Sequence, residues 1–359
     1  MKKLDRYILI KFLGTFFFAI ALIISISVVF DMVEKIDDFL ETGAPVKAIV
    51  FDYYLNFIPY FANLFTPLFV FIAVIFFTSK MAYQTEIIAI LSSGVSFKRM
   101  MYPYFLGAAI IAVFSYLLGG FVIPPANKTR IAFENTYIKS KKETGLSDMH
   151  MQVEPGVFVY MGKYYSFGER GDRFNIEKFD GKELVSRLSA RTARYDTINN
   201  RWNLQDYTIW SFKDGFEQVI ESGANIDTTI NVLPSDFKSE RKYFEMMNNA
   251  ELRSYIVEQR NRGVGNIEEF QIEWYKRMAS PFAAFILTLI GVSLASRKVR
   301  GGMGLHIGIG IGLSFGFILF MTISTTFAIN GNMNPILAVW LPNIVFALIG
   351  AYLYVKAPK

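Results

Sequence analysis

The sequence predicts an α-helical polytopic membrane protein with six transmembrane helices and an inserted all-β, jellyroll-like domain. Composition is the first reason: 52% of the 359 residues are hydrophobic and the mean hydropathy is +0.31, whereas soluble domains are usually less apolar. The second reason is that the apolar residues form runs of roughly the 20 residues that cross a bilayer. A long polar interval with strand-like alternation separates the third run from the fourth.

The first run follows the basic opening MKKLDRYILIK and is too long for the core of a signal peptide, so it predicts a membrane helix. Pro59 and Pro67 lie in the second run and predict a kinked helix, because proline removes a backbone donor. Pro124 and Pro125 are expected to end the third helix. The predicted spans are 12–30, 54–78, 102–123, 279–295, 305–328 and 336–355.

Positive charge is concentrated at both termini and in the loops after the second and fourth spans. Asp5 and Glu86 are the only acidic residues in those segments. Because cytoplasmic loops carry the excess of lysine and arginine, this pattern places both termini in the cytoplasm and the polar interval outside it. The same pattern explains the net charge of +6 without a nucleic-acid partner.

The polar interval predicts short strands joined by turns, as in a β-sandwich or a related roll. The expected turns are Gly162-Lys163, Asp180-Gly181, Asn199-Asn200 and Asp214-Gly215. The pattern then becomes helical, and one face of this helix carries Leu252, Tyr255, Ile256 and Gln259. The predicted divisions are spans one to three (1–125), the β-domain (126–248), a helical return to the membrane (249–274) and spans four to six (275–359).

The residue types argue against chemistry in this chain. Cysteine is absent, which excludes disulfides and thiolate ligands, and His150 and His306 are the two histidines. No GxxxxGK[ST] phosphate loop is present, and the span centres carry almost no ionisable groups for an ion-driven carrier. We therefore expect no catalytic residue, no metal and no cofactor of its own, with energy supplied by another protein.

The cytoplasmic stretch KMAYQTEIIAILSSGVSFKR, residues 80–99, connects the second and third spans. It predicts a short helix over about 83–94, which Gly94 ends. Glu86 and Ser92 interrupt its apolar patch, which consists of Ile87, Ile88, Ile90 and Leu91. Two interpretations stay open: a helix along the membrane surface that a soluble partner binds, or a plain connector.

The fifth span carries a glycine ladder at four-residue spacing, which places its members on one helix face. The ladder consists of Gly304, Gly308, Gly312 and Gly316. Such a face lets helix backbones approach closely, either within one subunit or against a partner subunit.

Basic residues near the outer ends of the spans are candidates for binding an anionic lipid head group. They are Lys35, Lys128, Arg130, Lys276 and Arg277. The alternatives are that Lys35 pairs with a nearby acid such as Asp31 or Glu34, and that the other four anchor helices at the interface.

Four stretches occur in a specific order: LDRYILIKFL (4–13), TEIIAILSSGVSFKRM (85–100), WYKRMASPFAAFILTLIGVSLASRKVRGG (274–302) and NMNPILAVWLPNIVFALIGAYL (332–353). Together they resemble the permease subunits of the lipopolysaccharide export system, the LptF/LptG (YjgP/YjgQ) family. The resemblance covers essentially the whole chain and is weakest in the predicted strands.

This resemblance implies a non-catalytic permease subunit of an ABC transporter in the bacterial inner membrane, with the β-domain as a periplasmic jellyroll. Its implied partners are a cytoplasmic ATPase dimer that uses the ATP, a second permease subunit (a paralogue or a second copy), a single-span periplasmic adaptor and lipopolysaccharide. Spans one and five would form lateral gates. Glu86 would contact the ATPase, within a coupling segment that includes Ile87, Ile90, Leu91 and Gly94.

The sequence departs from the family at the outer end of span one, which is mostly acidic here: Asp31, Glu34, Asp37 and Asp38 surround Lys35. Two alternative functions remain. One is a permease or mechanotransmitter for another lipid or lipoprotein, and the other is a membrane sensor with a periplasmic ligand-binding domain.

Overall fold

The computed structural model describes residues 2–138, 146–165, 169–197, 199–213, 216–230, 232, 234, 243–262, 267–297 and 302–357. The chain forms two compact units. The membrane unit consists of Met1–Ile138, Glu245–Asn249 and Glu268–Lys359. The β unit consists of Lys139–Phe244 and Ala250–Ile267.

The helices are α1 (Lys3–Thr42), α2 (Val46–Ala48), α3 (Leu55–Tyr83), α4 (Glu86–Ser92), α5 (Phe97–Leu117), α6 (Ile123–Tyr137), α7 (Tyr243–Met246), α8 (Asn249–Arg262), α9 (Glu268–Ala295), α10 (Gly302–Ile329) and α11 (Pro335–Val355). The described residues contain six spans that are long and apolar enough to cross a membrane, which confirms the prediction. In order, they are α1, α2–α3, α5–α6, α9, α10 and α11.

A π-helical turn interrupts both the second and the third span near one end. Ile49–Tyr54 joins α2 to α3, and Leu118–Val122 joins α5 to α6. α6 packs against the first of these turns, where Tyr53 and Phe133 lie in one aromatic cluster. Such turns carry one extra residue and are enriched at functional sites.

The predicted end of the third span at Pro124 and Pro125 is wrong, because the helix continues to Tyr137. Both prolines occupy the first turn of α6, directly after a π-helical turn. The change in hydrogen-bond pattern at the π-helical turn accompanies the loss of the two proline donors, and the helix continues beyond them. Residues 126–137 therefore extend the third span instead of beginning the β-domain.

The fourth span is the centre of the membrane unit, since α9 packs against α3, α5 and α11. Gly291 marks its closest approach to α3. A Cβ added there would lie 2.8 Å from Cγ1 of Val74, so only glycine allows this packing. Leu287 and Ile290 on the same helix are fully buried.

The inserted all-β domain is confirmed as one six-stranded antiparallel sheet. Its strands are β1 (Leu146–Glu154), β2 (Val157–Tyr165), β3 (Arg170–Asp180), β4 (Glu183–Asp196), β5 (Arg201–Lys213) and β6 (Phe216–Thr228). Each described strand pairs with its neighbour in sequence, so the sheet is an up-and-down meander.

Two of the four predicted turns are confirmed. Asp180-Gly181 turns the chain between β3 and β4, with Gly181 at a φ of 60°, and Asn199-Asn200 lies between β4 and β5. Asp214-Gly215 lies outside the described residues. The turn at Gly162-Lys163 is wrong, because both residues lie within β2. Gly162 instead makes room for the Arg173 side chain, whose Nε would lie 2.5 Å from an added Cβ.

The core of the β unit is built around Trp202, which is 1% exposed. Its indole Nε1–H donates a 2.8 Å hydrogen bond to the carbonyl oxygen of Val232, and its ring stacks at 6.1 Å from Phe174. The predicted helix after the strands is confirmed as α8, where Leu252 and Gln259 are buried and lie on one face.

Candidate functional site

The short helix α4 forms the turn between the second and third spans. Thr85 adopts a left-handed conformation with a φ of 61°, which breaks the chain direction between α3 and α4. Gly94 has a φ of 85°, and an added Cβ would meet nothing described within 4 Å. Glycine is therefore favoured there by backbone conformation and not by crowding.

The apolar residues of α4 point in different directions. Ile87 is 1% exposed and lies in the core of the membrane unit, while Ile90 and Leu91 are half-buried against that core. Ile88 is 54% exposed. Of the isoleucines of α4, Ile88 therefore presents the largest apolar surface to a partner, and Ile87 holds the helix in place.

Glu86 begins α4 and is half-buried. Its Oε2 accepts a 3.3 Å hydrogen bond from the hydroxyl of Tyr7, in the first span. Nearby in sequence, Arg99 Nη2 forms a 2.7 Å ion pair with Oδ2 of Asp5. Asp5 and Glu86, the two acidic residues of the basic segments, therefore each bind a residue of another helix.

The contacts of Asp5 and Tyr7 do not follow from the local sequence pattern. The one usable signal is that Asp5 is an isolated acidic residue in a basic segment. The distance of 94 positions between Asp5 and Arg99 hides the pairing from any local pattern.

Most of the glycine ladder of α10 is uncovered by the described residues of the other spans. A Cβ added at Gly304, Gly308 or Gly312 would meet nothing within 4 Å among the described residues, and at Gly316 it would meet only Phe346 at 3.9 Å. Close packing within the chain involves Gly310 instead, where an added Cβ would lie 2.4 Å from Cδ1 of Ile75.

The first and fifth spans are the least buried. In the most apolar 18-residue segment of each span, the buried share of the residues is 17% for the first span and 22% for the fifth. In the other four spans this share is 33% to 56%. Both pack against α3, but much of their apolar surface remains uncovered. Their large exposed side chains include Phe18, Val29 and Phe30 on α1 and Phe315, Leu319 and Ile323 on α10.

Lys35 is held within the chain. Its Nζ lies 2.7 Å from Oδ1 of Asp31, one helical turn earlier, and it also donates a hydrogen bond to the hydroxyl of Tyr53. The same ammonium lies 4.7 Å from the centre of the Tyr53 ring. The structure thus shows the local pairing that the sequence left open as one alternative.

The other four basic candidates divide into two kinds. Arg130 and Arg277 are each 7% exposed. Arg130 pairs with Glu134, four residues later, and Arg277 pairs with Glu273, four residues earlier. Arg277 also donates 2.7 Å to the carbonyl oxygen of Met247. Lys128 and Lys276 are exposed on their helices. The two arginines therefore connect parts of the membrane unit.

Within the described ranges, no group of three or more histidine or acidic side chains could hold a metal ion. These features together define a class of protein: a polytopic membrane protein with a β-sheet domain between its third and fourth spans and with two spans whose sides lie open to lipid or to a partner.

The chain belongs to the family of lipopolysaccharide export system permeases LptF/LptG, whose family model matches residues 6–356. The match covers nearly the whole chain, so the resemblance found in the sequence is confirmed. This family is one of permeases, which identifies the chain as an inner-membrane transport protein. No curated protein matches the sequence.

Proposed function

We propose that this chain is the permease subunit of an ATP-driven ABC transporter that extracts lipopolysaccharide from the inner membrane and passes it to a periplasmic bridge toward the outer membrane. The observation that carries the proposal is the family match over residues 6–356. The ATP is hydrolysed by a dimer of a separate ATPase, and the chain itself is not an enzyme and holds no cofactor. Both termini lie in the cytoplasm and the β unit in the periplasm, as the distribution of basic residues indicates.

The exposed sides of α1 and α10 support lateral entry of lipid. Acyl chains can lie against their uncovered apolar side chains, and a second permease subunit can pack against the glycine face of α10. Exposing an acyl chain to water costs about 0.8 kcal/mol per methylene. Removing a lipid with several acyl chains from the bilayer therefore requires an external energy source, which fits a separate ATPase.

Lys35, Lys128 and Lys276 are the head-group candidates in this proposal. Lys35 is the most informative, because it already lies beside an anion, Asp31. A lipid phosphate would replace that carboxylate as its partner. A single-span adaptor would complete the path through the periplasm.

The exposed surface of α4, with Glu86 at its first turn and Ile88 one residue beyond Ile87, is the ATPase contact in this proposal. Replacing Glu86 with lysine reverses the charge at this contact. We expect the Glu86→Lys variant to lose co-purification of the ATPase and export of lipopolysaccharide, because like charge at a docking surface is repulsive.

A suitable control is Glu183→Lys, which makes the same charge change at an exposed position at the start of β4. This control should retain both co-purification and export. Normal co-purification and normal export in Glu86→Lys would remove α4 as the coupling element.

The acidic outer end of α1 favours a second candidate, a permease for a lipid with fewer phosphates or for a lipoprotein. Photo-crosslinking residues placed at Phe18 and Leu319, both exposed, distinguish the cargo. Capture of lipopolysaccharide supports the first proposal, and capture of a different lipid or a lipoprotein supports the second.

A further inference from the structure

The cytoplasmic end of the first span is bound to both sides of the coupling turn. On one side, the Tyr7 hydroxyl donates to Glu86 at the start of α4. On the other side, Asp5 pairs with Arg99 in the first turn of α5. The turn that would receive the ATPase is therefore attached to α1 at two points.

The ion pair is the stronger attachment. Asp5 is 3% exposed, and its Oδ2 accepts hydrogen bonds from the backbone N–H of Lys2 at 2.9 Å and from Arg99 Nη2 at 2.7 Å. The Arg99 guanidinium also lies 5.3 Å from the centre of the Tyr102 ring. A charge-assisted hydrogen bond is stronger than a neutral one, and removal of Arg99 would leave the buried Asp5 carboxylate without its charged partner.

Apolar packing continues beneath the ion pair. Ile8 and Phe12 of α1, Ile87 of α4 and Phe97 of α5 are all buried in one hydrophobic cluster. The inner half of α1 and the coupling turn thus form one packed body, which is expected to move as a unit because protein interiors are dense and resist deformation.

Between Ile20 and Phe39, which are both buried, α1 lacks this cover. Val29 is 61% exposed and Phe30 is 73% exposed. α1 is one continuous helix of 40 residues, about 60 Å long at 1.5 Å per residue. A displacement of its cytoplasmic end can therefore reach this exposed segment through the helix itself.

We propose that Asp5 and Arg99, supported by Tyr7, are positioning residues that hold the first span against the coupling turn. Movement of the coupling turn during the ATPase cycle is thereby transmitted to the first span. This inference rests on the proposed function. It assigns the transmission of movement to the contacts between α1 and the coupling turn, whereas the proposed function assigns ATPase binding to the exposed surface of α4.

The test uses the whole transporter, purified with its ATPase and reconstituted in proteoliposomes that contain lipopolysaccharide. Two quantities are measured: ATP hydrolysis, and lipid released per ATP hydrolysed. The variants are Asp5→Arg, Arg99→Asp and the double charge swap. The control is Lys98→Asp, because Lys98 is exposed beside Arg99.

Each single variant should retain the bound ATPase and its hydrolysis but release about tenfold less lipid per ATP, the size of a typical coupling between two sites. The charge swap should recover most of this loss, since it restores an opposite pair. The control should match the unmodified protein. A structural defect alone would lower protein yield and ATPase binding without a specific rescue.

A normal release ratio in both single variants would overturn the proposal. So would a double variant whose loss equals the combined losses of the single ones. If a reversed charge prevents assembly, Tyr7→Phe and Arg99→Gln decide, because neither places a new charge beside the core. Unchanged release ratios in both would overturn it equally. If the unmodified complex binds no ATPase or releases no lipopolysaccharide, the proposed function fails instead.

Discussion

The fourth and fifth spans are two helices of equal length, 28 residues each, that serve opposite purposes. In its most apolar segment, α9 is 56% buried and packs against four other spans, α3, α5, α10 and α11, whereas α10 is 22% buried. Their glycines differ accordingly: Gly291 of α9 presses against Val74, while Gly304, Gly308 and Gly312 of α10 meet nothing within 4 Å among the described residues. The length of an apolar segment thus identifies a membrane span, but its packing determines whether the helix is buried among the other spans or exposed.

The largest effect is expected from placing leucine at the tight glycine of the scaffold helix. Gly291→Leu puts a side chain where Cγ1 and Cβ of Val74 lie 2.8 and 3.2 Å from an added Cβ, and the stiff valine cannot move aside. Overpacking of this kind costs about 3 kcal/mol. The folded fraction in detergent, followed by size-exclusion chromatography and thermal melting, should fall sharply.

Gly304→Leu is the matched control on the open face, and the isolated chain should melt normally. Equal stability of the two variants, or a lower stability of Gly304→Leu, would contradict the assignment of Gly291 to a packed site and Gly304 to an open one.

A smaller difference is expected between two leucines. Leu287 on α9 is fully buried and Leu319 on α10 is 58% exposed. Leu287→Ala leaves a cavity and loses packing contacts, and we expect a cost of about 2 kcal/mol. Leu319→Ala should cost less than about 0.5 kcal/mol, as an uncovered site does.

Chemical denaturation of the two variants in the same detergent measures this difference. A similar loss in both would show that α10 is packed against something within the chain. A normal stability of Leu287→Ala would contradict the central place of α9.

The smallest effect concerns two glycines of the same helix. Gly308→Ala should stabilise α10 by up to about 1 kcal/mol, because alanine has the higher helix propensity and the site is open. Gly310→Ala gains the same propensity but must displace Cδ1 of Ile75, so its net change should be near zero.

Thermal melting of the two alanine variants, measured side by side, sharpens the boundary between the packed and open faces of α10. Equal melting temperatures would mean that Ile75 yields without cost, and a lower temperature for Gly308→Ala would reverse the assignment of the faces.

The number of spans and the β-insert could be predicted because both depend on local composition and alternation. The end of the third span could not, since Pro124 is tolerated only because a π-helical turn precedes it and restarts the helix. Gly162 was predicted to be a turn residue, but it is a glycine because the Arg173 side chain of the neighbouring strand occupies the space where a Cβ would lie. The sequence does not show this contact between strands.

The candidate site was only partly accessible from sequence. Four-residue spacing placed the glycine ladder on one face, but spacing cannot say whether that face meets a neighbour. Likewise, the apolar patch of α4 was visible, but which isoleucine turns inward depends on the left-handed residue Thr85 that sets the start of the helix. The pairing of Asp5 with Arg99 required the folded chain.

The π-helical turns at Ile49–Tyr54 and Leu118–Val122 have a geometric consequence for how this fold can vary. Each extra residue rotates everything beyond it by about 100° around the helix axis, relative to an uninterrupted helix. Deleting one residue from either turn would change which side chains of α2 or α6 face the neighbouring spans, while α3 or α5 kept its contacts. The short helices α2 and α6 are therefore segments whose orientation can be changed in single steps, separately from α3 and α5.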